Sequence, residues 1–148
     1  MSIRFDAQLQ VTRSIEEVFA FIDDFSNTPK WNSRCVSVAQ TSSEPRAVGS
    51  TLRYQYREPG RQGEMQGQVT AYAKPTALSM RFTDANLDAQ VIFSLSASAP
   101  RTTPGTTITH AIEITPKSLL MKLMTPLMRL AARKQVQQEI LALKSLLA

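Results

Sequence analysis

The chain of 148 residues holds a single cysteine, a single histidine and a single tryptophan. Cys35 has no partner for an internal disulfide, in keeping with a reducing cytoplasm, and it reads as a small residue at a strand start rather than a reactive thiol. One histidine and one cysteine fall short of a protein-only zinc site, so no metal is expected. The chain lacks a glycine-rich phosphate loop, a G-x-S-x-G elbow and a dinucleotide fingerprint, so no cofactor is expected. No run of about eighteen apolar residues is present to span a membrane. The opening Met1 to Asp6 has no apolar core of a secretion signal, and a cytoplasmic protein is the expectation. With 43% apolar residues and no low-complexity tract, the chain reads as one globular domain over 1–148.

Acidic residues are scarce in one region. From Lys117 onward there are six bases (Lys117, Lys122, Arg129, Arg133, Lys134 and Lys144) against one acid, Glu139. Residues 1–116 balance eleven bases with eleven acids. The excess of +5 therefore sits in the last 32 residues. A solvated helix face is the simple reading; a site for anionic lipid is the other. No nucleic-acid partner is expected, because that basic stretch has no aromatic residue to stack on bases.

The elements follow from hydrophobic period. Phe5 to Thr12 alternates apolar and polar residues, as a half-buried strand does. Ser14 with Glu17 has the spacing of a capping box, and Ile15, Val18, Phe19 and Ile22 recur at helical steps up to Asp23-Asp24. Asn27 to Lys30 ends that helix, and Trp31 follows the break. Six strands are then expected, beginning at Val36 and Val38. Leu52, Tyr54 and Tyr56 share one face of the next, with Arg53, Gln55 and Arg57 opposite. Glu44-Pro45 and Gly49 mark one turn, and Pro59-Gly60 with Gly63 mark a hairpin. Met65 to Tyr72 follows, where Gly67 points to a bulge or a close backbone approach. Leu78, Met80 and Phe82 alternate in a further strand, as do Ala89 to Leu95 and Ile108 to Ile114.

The final stretch changes to steps of three and four, from Leu119 through Leu147, the mark of an amphipathic helix. Thr125-Pro126 interrupts it, so either a short helix precedes a new long one or a single helix kinks there. Pro126 to Ala148 would be about 34 Å long as a helix. The order is strand, helix, six strands, long helix. An antiparallel sheet with one apolar face needs a cover, and the terminal helix has the length to be it.

This order, with Phe21 to Asn32 (an acid at the helix end, then Pro29 and Trp31), resembles the START-like superfamily. More narrowly it is similar to the polyketide cyclase/dehydrase and lipid-transport family. Gly49 before the third strand, the strand running into Lys74-Pro75, and Leu143-Lys144 near the end add to the likeness. The resemblance implies an α+β helix-grip fold (START/Bet v 1-like). In it, a curved antiparallel sheet of about six to seven strands wraps on the C-terminal helix around an apolar cavity.

On that reading the expected ligand-binding residues are Trp31, Tyr54, Tyr56, Met80, Phe82, Phe93 and His110 from the sheet side, with Leu123, Met124 and Leu127 from the helix. Met121 and Met128 would add adaptable side chains. His110 shares a strand face with Ile108 and Ile112, so it points inward, and it is the candidate acid, base or orienting donor. Each tyrosine hydroxyl needs a partner if buried. Trp31 either gates the cavity or caps the core. Asp23 and Asp24 are adjacent and do not face each other, so a turn role suits one of them. Arg53, Arg57, Arg61 and Arg81 fall mostly on outward faces. Three functions fit: a binder of a small hydrophobic molecule (lipid, quinone or aromatic polyketide-like), a cyclase or dehydratase-like enzyme using His110 and a tyrosine, and a peripheral lipid-transfer module touching anionic membrane through the basic helix.

Overall fold

The computed structural model describes residues 2–98 and 105–148. Seven strands form one antiparallel sheet: β1 (Ile3–Val11), β2 (Cys35–Gln40), β3 (Thr51–Glu58), β4 (Arg61–Ala73), β5 (Ala77–Thr83), β6 (Leu87–Ala97) and β7 (Thr106–Pro116). Their order across the sheet is β1-β7-β6-β5-β4-β3-β2, so β1 and β2 hold opposite edges. The chain bridges those edges with α1 (Ile15–Asp23), a 3-10 turn at Phe25–Asn27 and α2 (Thr28–Trp31). After β7 come α3 (Leu119–Leu123) and the long α4 (Thr125–Leu146). This is the helix-grip arrangement expected from the sequence.

Local chemistry sets the boundaries. The Ser14 hydroxyl accepts from the Glu17 backbone N–H at 3.2 Å, which satisfies one orphan donor of α1. Glu17 does not complete the box: its carboxylate takes the Ser14 hydroxyl and the Arg13 guanidinium instead. Asp24 caps the 3-10 turn through Ser26, the turn role foreseen for one of the two acids. Asp23 takes a different part, accepting from Arg46 and, at 2.8 Å, from the Tyr72 hydroxyl. Glu58 pairs with Arg61 across Pro59-Gly60, where Gly60 adopts a positive φ of 73°. Gly63 is not part of that turn; it sits inside β4 opposite Tyr56. The bulge in β4 lies between Val69 and Ala71, and Gly67 is instead a close approach, crossed by the Phe82 ring.

At the C-terminal end the two-helix alternative holds. Ser118 caps α3 by accepting from the Met121 N–H at 3.2 Å, and Pro126 opens α4 where its missing N–H costs nothing. Thr125 does not cap α4; its hydroxyl donates to the Lys122 carbonyl at 2.7 Å. The helix packs on β1, β7 and α2. One apolar core joins Val18 and Ile22 of α1, Leu52, Val69, Leu78, Phe93 and Ile108 of the sheet, and Leu143 of α4. Burying each such side chain contributes about 1.5–3 kcal/mol. No helix among the described residues is long and apolar enough to cross a membrane.

Candidate functional site

Between the sheet, α2 and α4 the packing leaves a pocket of about 160 Å³. Its depth is apolar: Phe25, Trp31, Val38, Met65, Met80, Phe82, Val91 and Ile112 contribute to the wall. Polar groups stand at the rim, where half-buried Arg34 and Glu58 and exposed Arg61 reach the surface beside Gln135. The rings meet in mixed geometries, edge-to-face at Trp31, tilted between Tyr54 and Phe82 and stacked between Tyr54 and Tyr56. Trp31 meets Phe93 at 5.4 Å and 86°, and Tyr54 lies 5.1 Å from Phe82.

Of the residues expected to face a ligand, Trp31, Tyr54, Tyr56, Met80 and Phe82 line this pocket. Phe93 and His110 do not. They lie behind the wall, stacked on each other at 4.4 Å and fully enclosed. An inward strand face decides only that a side chain enters the core, and the core here extends beyond the pocket. Leu123, Met124 and Leu127 are corrected more sharply, because they lie on the outside of the molecule. The helix turns a different set of residues inward: Ala132, Val136, Glu139 and Leu143. Met121 and Met128 do not line the pocket either.

The expected set missed apolar wall residues such as Phe25, Val38, Met65 and Val91, and it missed polar ones as well. Glu139 was the isolated acid of a basic helix, yet its side chain is 4% exposed and reaches the wall. One carboxylate oxygen is hydrogen-bonded to His110 Nε2 at 2.7 Å, and the other accepts from Gln135 Nε2 at 3.2 Å. The Gln135 carbonyl accepts from Arg34 at 3.3 Å, and Arg34 also donates to Glu58 at 3.4 Å. A polar chain thus runs from the rim to the buried imidazole. Arg61, assigned to the outer surface, folds over the rim and donates to the Tyr56 hydroxyl at 2.9 Å. Asn32 donates to the Tyr54 hydroxyl at 3.3 Å. Burial pushes that phenol's pKa up, so Tyr54 stays neutral. Both tyrosine hydroxyls therefore have protein partners.

Trp31 differs. Its indole Nε1–H is buried and has no hydrogen-bond partner among the described residues. Such a donor costs about 1–3 kcal/mol if left unmet.

A long helix closing an antiparallel sheet over a largely apolar pocket defines a helix-grip protein. The model of the polyketide cyclase/dehydrase and lipid-transport family matches residues 2–148, and the chain belongs to that family. No curated protein matches it significantly. Among solved structures, it is similar to a START superfamily protein from Mycobacterium smegmatis, with 16% identity, a TM-score of 0.78, and coverage of 97% of this chain and 96% of that one. The Zhui aromatase/cyclase from Streptomyces sp. R1128 shares 7% identity at a TM-score of 0.77, covering 98% of this chain and 93% of that one. The polyketide-cyclase-like protein from Corynebacterium glutamicum shares 22% at a TM-score of 0.70, covering 99% and 92%. At these identities the likeness is one of fold.

Proposed function

We propose that the chain binds a small hydrophobic molecule in the pocket between its sheet and its terminal helix, and that the molecule carries a hydrogen-bond acceptor. The observation that carries this reading is the indole N–H of Trp31, a residue of the largely apolar wall, which has no hydrogen-bond partner among the described residues. An acceptor such as a ketone or quinone oxygen would satisfy that donor, while apolar burial at about 25 cal/mol per Å² would supply the affinity. The size of the pocket supports a limit on the ligand. An apolar cavity of ~150 Å³ takes a benzene-sized molecule whole, so a larger ligand must extend past Arg34, Glu58 and Arg61 toward solvent.

Trp31 is the sole tryptophan, so its emission reports on one place. Titration with 1,4-naphthoquinone should quench it saturably, and Trp31→Phe should weaken binding of the quinone, followed by calorimetry, far more than binding of naphthalene. Native mass spectrometry of the purified protein should find an apolar adduct. No adduct, together with no saturable response to naphthoquinone, flavone or palmitate, would overturn the reading.

A further inference from the structure

The leucines that face away from the pocket need a cover. Helix α3 buries none of its five residues, and Leu119, Leu120 and Leu123 are 74%, 62% and 72% exposed. On α4, Leu127 and Leu130 are 63% and 59% exposed. Helical steps put Leu127, Leu130, Lys134 and Leu141 on one face, opposite the buried Ala132, Val136, Glu139 and Leu143. A contiguous apolar surface of this kind marks an interaction site.

The charge around it selects the partner. Lys122, Arg129, Arg133 and Lys134 are exposed on the same two helices, Arg133 and Lys134 one turn from Leu130. The one acid between Lys117 and the chain end, Glu139, is buried against His110. The outer face thus presents leucine and cation with no side-chain carboxylate. We propose that α3 and the first half of α4 dock on an anionic lipid bilayer, leucines entering the acyl boundary and bases meeting the headgroups. A second copy of the chain fits poorly, because face-to-face contact would oppose two purely cationic surfaces. A nucleic acid would answer the charge and leave the leucines in water.

The placement adds a consequence for the pocket. Helix α3 follows directly on β7, with the Lys117 N–H donating to the Asn86 carbonyl at 2.7 Å and Pro116 registered against Leu87. Leu87, Ala89 and Ile114 line the pocket. Docking would set this end of it against the membrane, although the surface itself stands whether or not the pocket holds a ligand.

The test is co-sedimentation of the full chain with phosphatidylcholine vesicles, with and without phosphatidylserine. Binding is expected only with phosphatidylserine, falling about fivefold for each cation removed in Arg129→Gln and Arg133→Gln, and falling further with added salt. Leu123→Ser with Leu127→Ser should abolish sedimentation while leaving the thermal melt and the Trp31 emission unchanged, since both side chains are exposed. Absence of binding to phosphatidylserine vesicles at low salt would overturn the proposal, as would binding that ignores lipid charge. Light scattering that shows a dimer dissolved by the leucine changes would also overturn it, by giving the face to a second copy.

Discussion

The imidazole of His110 and the carboxylate of Glu139 meet at 2.7 Å in the interior, with 0% and 4% of their side chains exposed, and so fasten strand β7 to helix α4. Removing one partner strands the other. His110→Ala should cost on the order of 3 kcal/mol in denaturant unfolding, and Glu139→Ala a similar amount. Changing both residues to Leu should recover most of that loss, because an apolar pair leaves no buried polar group unmet. A double variant as unstable as either single one would show that the contact does not account for the cost.

Gly67 leaves room for a ring. A Cβ added there would lie 2.5 Å from Phe82 Cδ1 and 3.2 Å from Leu52 Cβ. Gly67→Ala should therefore lower stability by about 1–3 kcal/mol through overpacking. Adding Phe82→Leu should relieve part of it. A neutral Gly67→Ala in thermal unfolding would contradict the close approach.

Cys35 should be inert in the native chain. Burial, with a smaller contribution from the nearby Glu139 carboxylate, pushes the thiol pKa from 9.0 up to about 12. Three pH units mean about a thousandfold less thiolate than in the unfolded protein at the same pH. Reaction with Ellman's reagent at mild alkaline pH should be slow until denaturant is added. Rapid native labelling would place Cys35 at the surface.

Asp88 gives an acid-sensitive contribution. Its carboxylate accepts from Thr83, lies 2.7 Å from Arg81 and 3.5 Å from Lys117, and is held below the ordinary value of 3.8 chiefly by the Thr83 and Arg81 hydrogen bonds. A lowered folded value means the stabilisation is complete above 3.8 and is lost as pH falls through that lowered value. Asp88→Asn should be less stable at neutral pH by up to about 1 kcal/mol, the range for largely solvated pairs. The gap to the parent should close at strongly acid pH. A gap that stays constant across an acid titration would remove the carboxylate's charge from the account.

Much of the fold was legible because its elements repeat with clean periods. Leu52, Tyr54 and Tyr56 alternate with polar neighbours, and their strand forms where the alternation says. The terminal helix was legible as a helix but not in its rotation. Leu123 and Leu127 read as inward because they are apolar, while Glu139 read as solvated because it is charged; the structure reverses both. The reversal depends on a contact between residues 29 positions apart, and helical period carries no information about what stands on the opposing strand. The sequence leaves Trp31 open between the cavity and the core; the structure sets it at the end of α2, where it lines the pocket. That its N–H lacks a partner depends on the side chains surrounding it, which the sequence does not order in space. Arg61 is exposed, as its grouping with the outer arginines implied, but its pairing with Glu58 sets it on the strand face of Tyr54 and Tyr56, so it stands at the pocket rim.

The two glycines of β4 give the pocket a control that lies outside it. Neither Gly63 nor Gly67 is on the wall, yet each would place a Cβ within 2.7 Å of a wall ring, at the Tyr56 hydroxyl and Phe82 respectively. Each ring occupies space that a side chain at its glycine would fill. A single methyl on β4 would push a ring toward the ligand side, so the volume available to a guest is set partly by residues that never touch it. Selecting for a smaller or larger ligand would then begin behind the wall, with side chains added to or removed from this one strand.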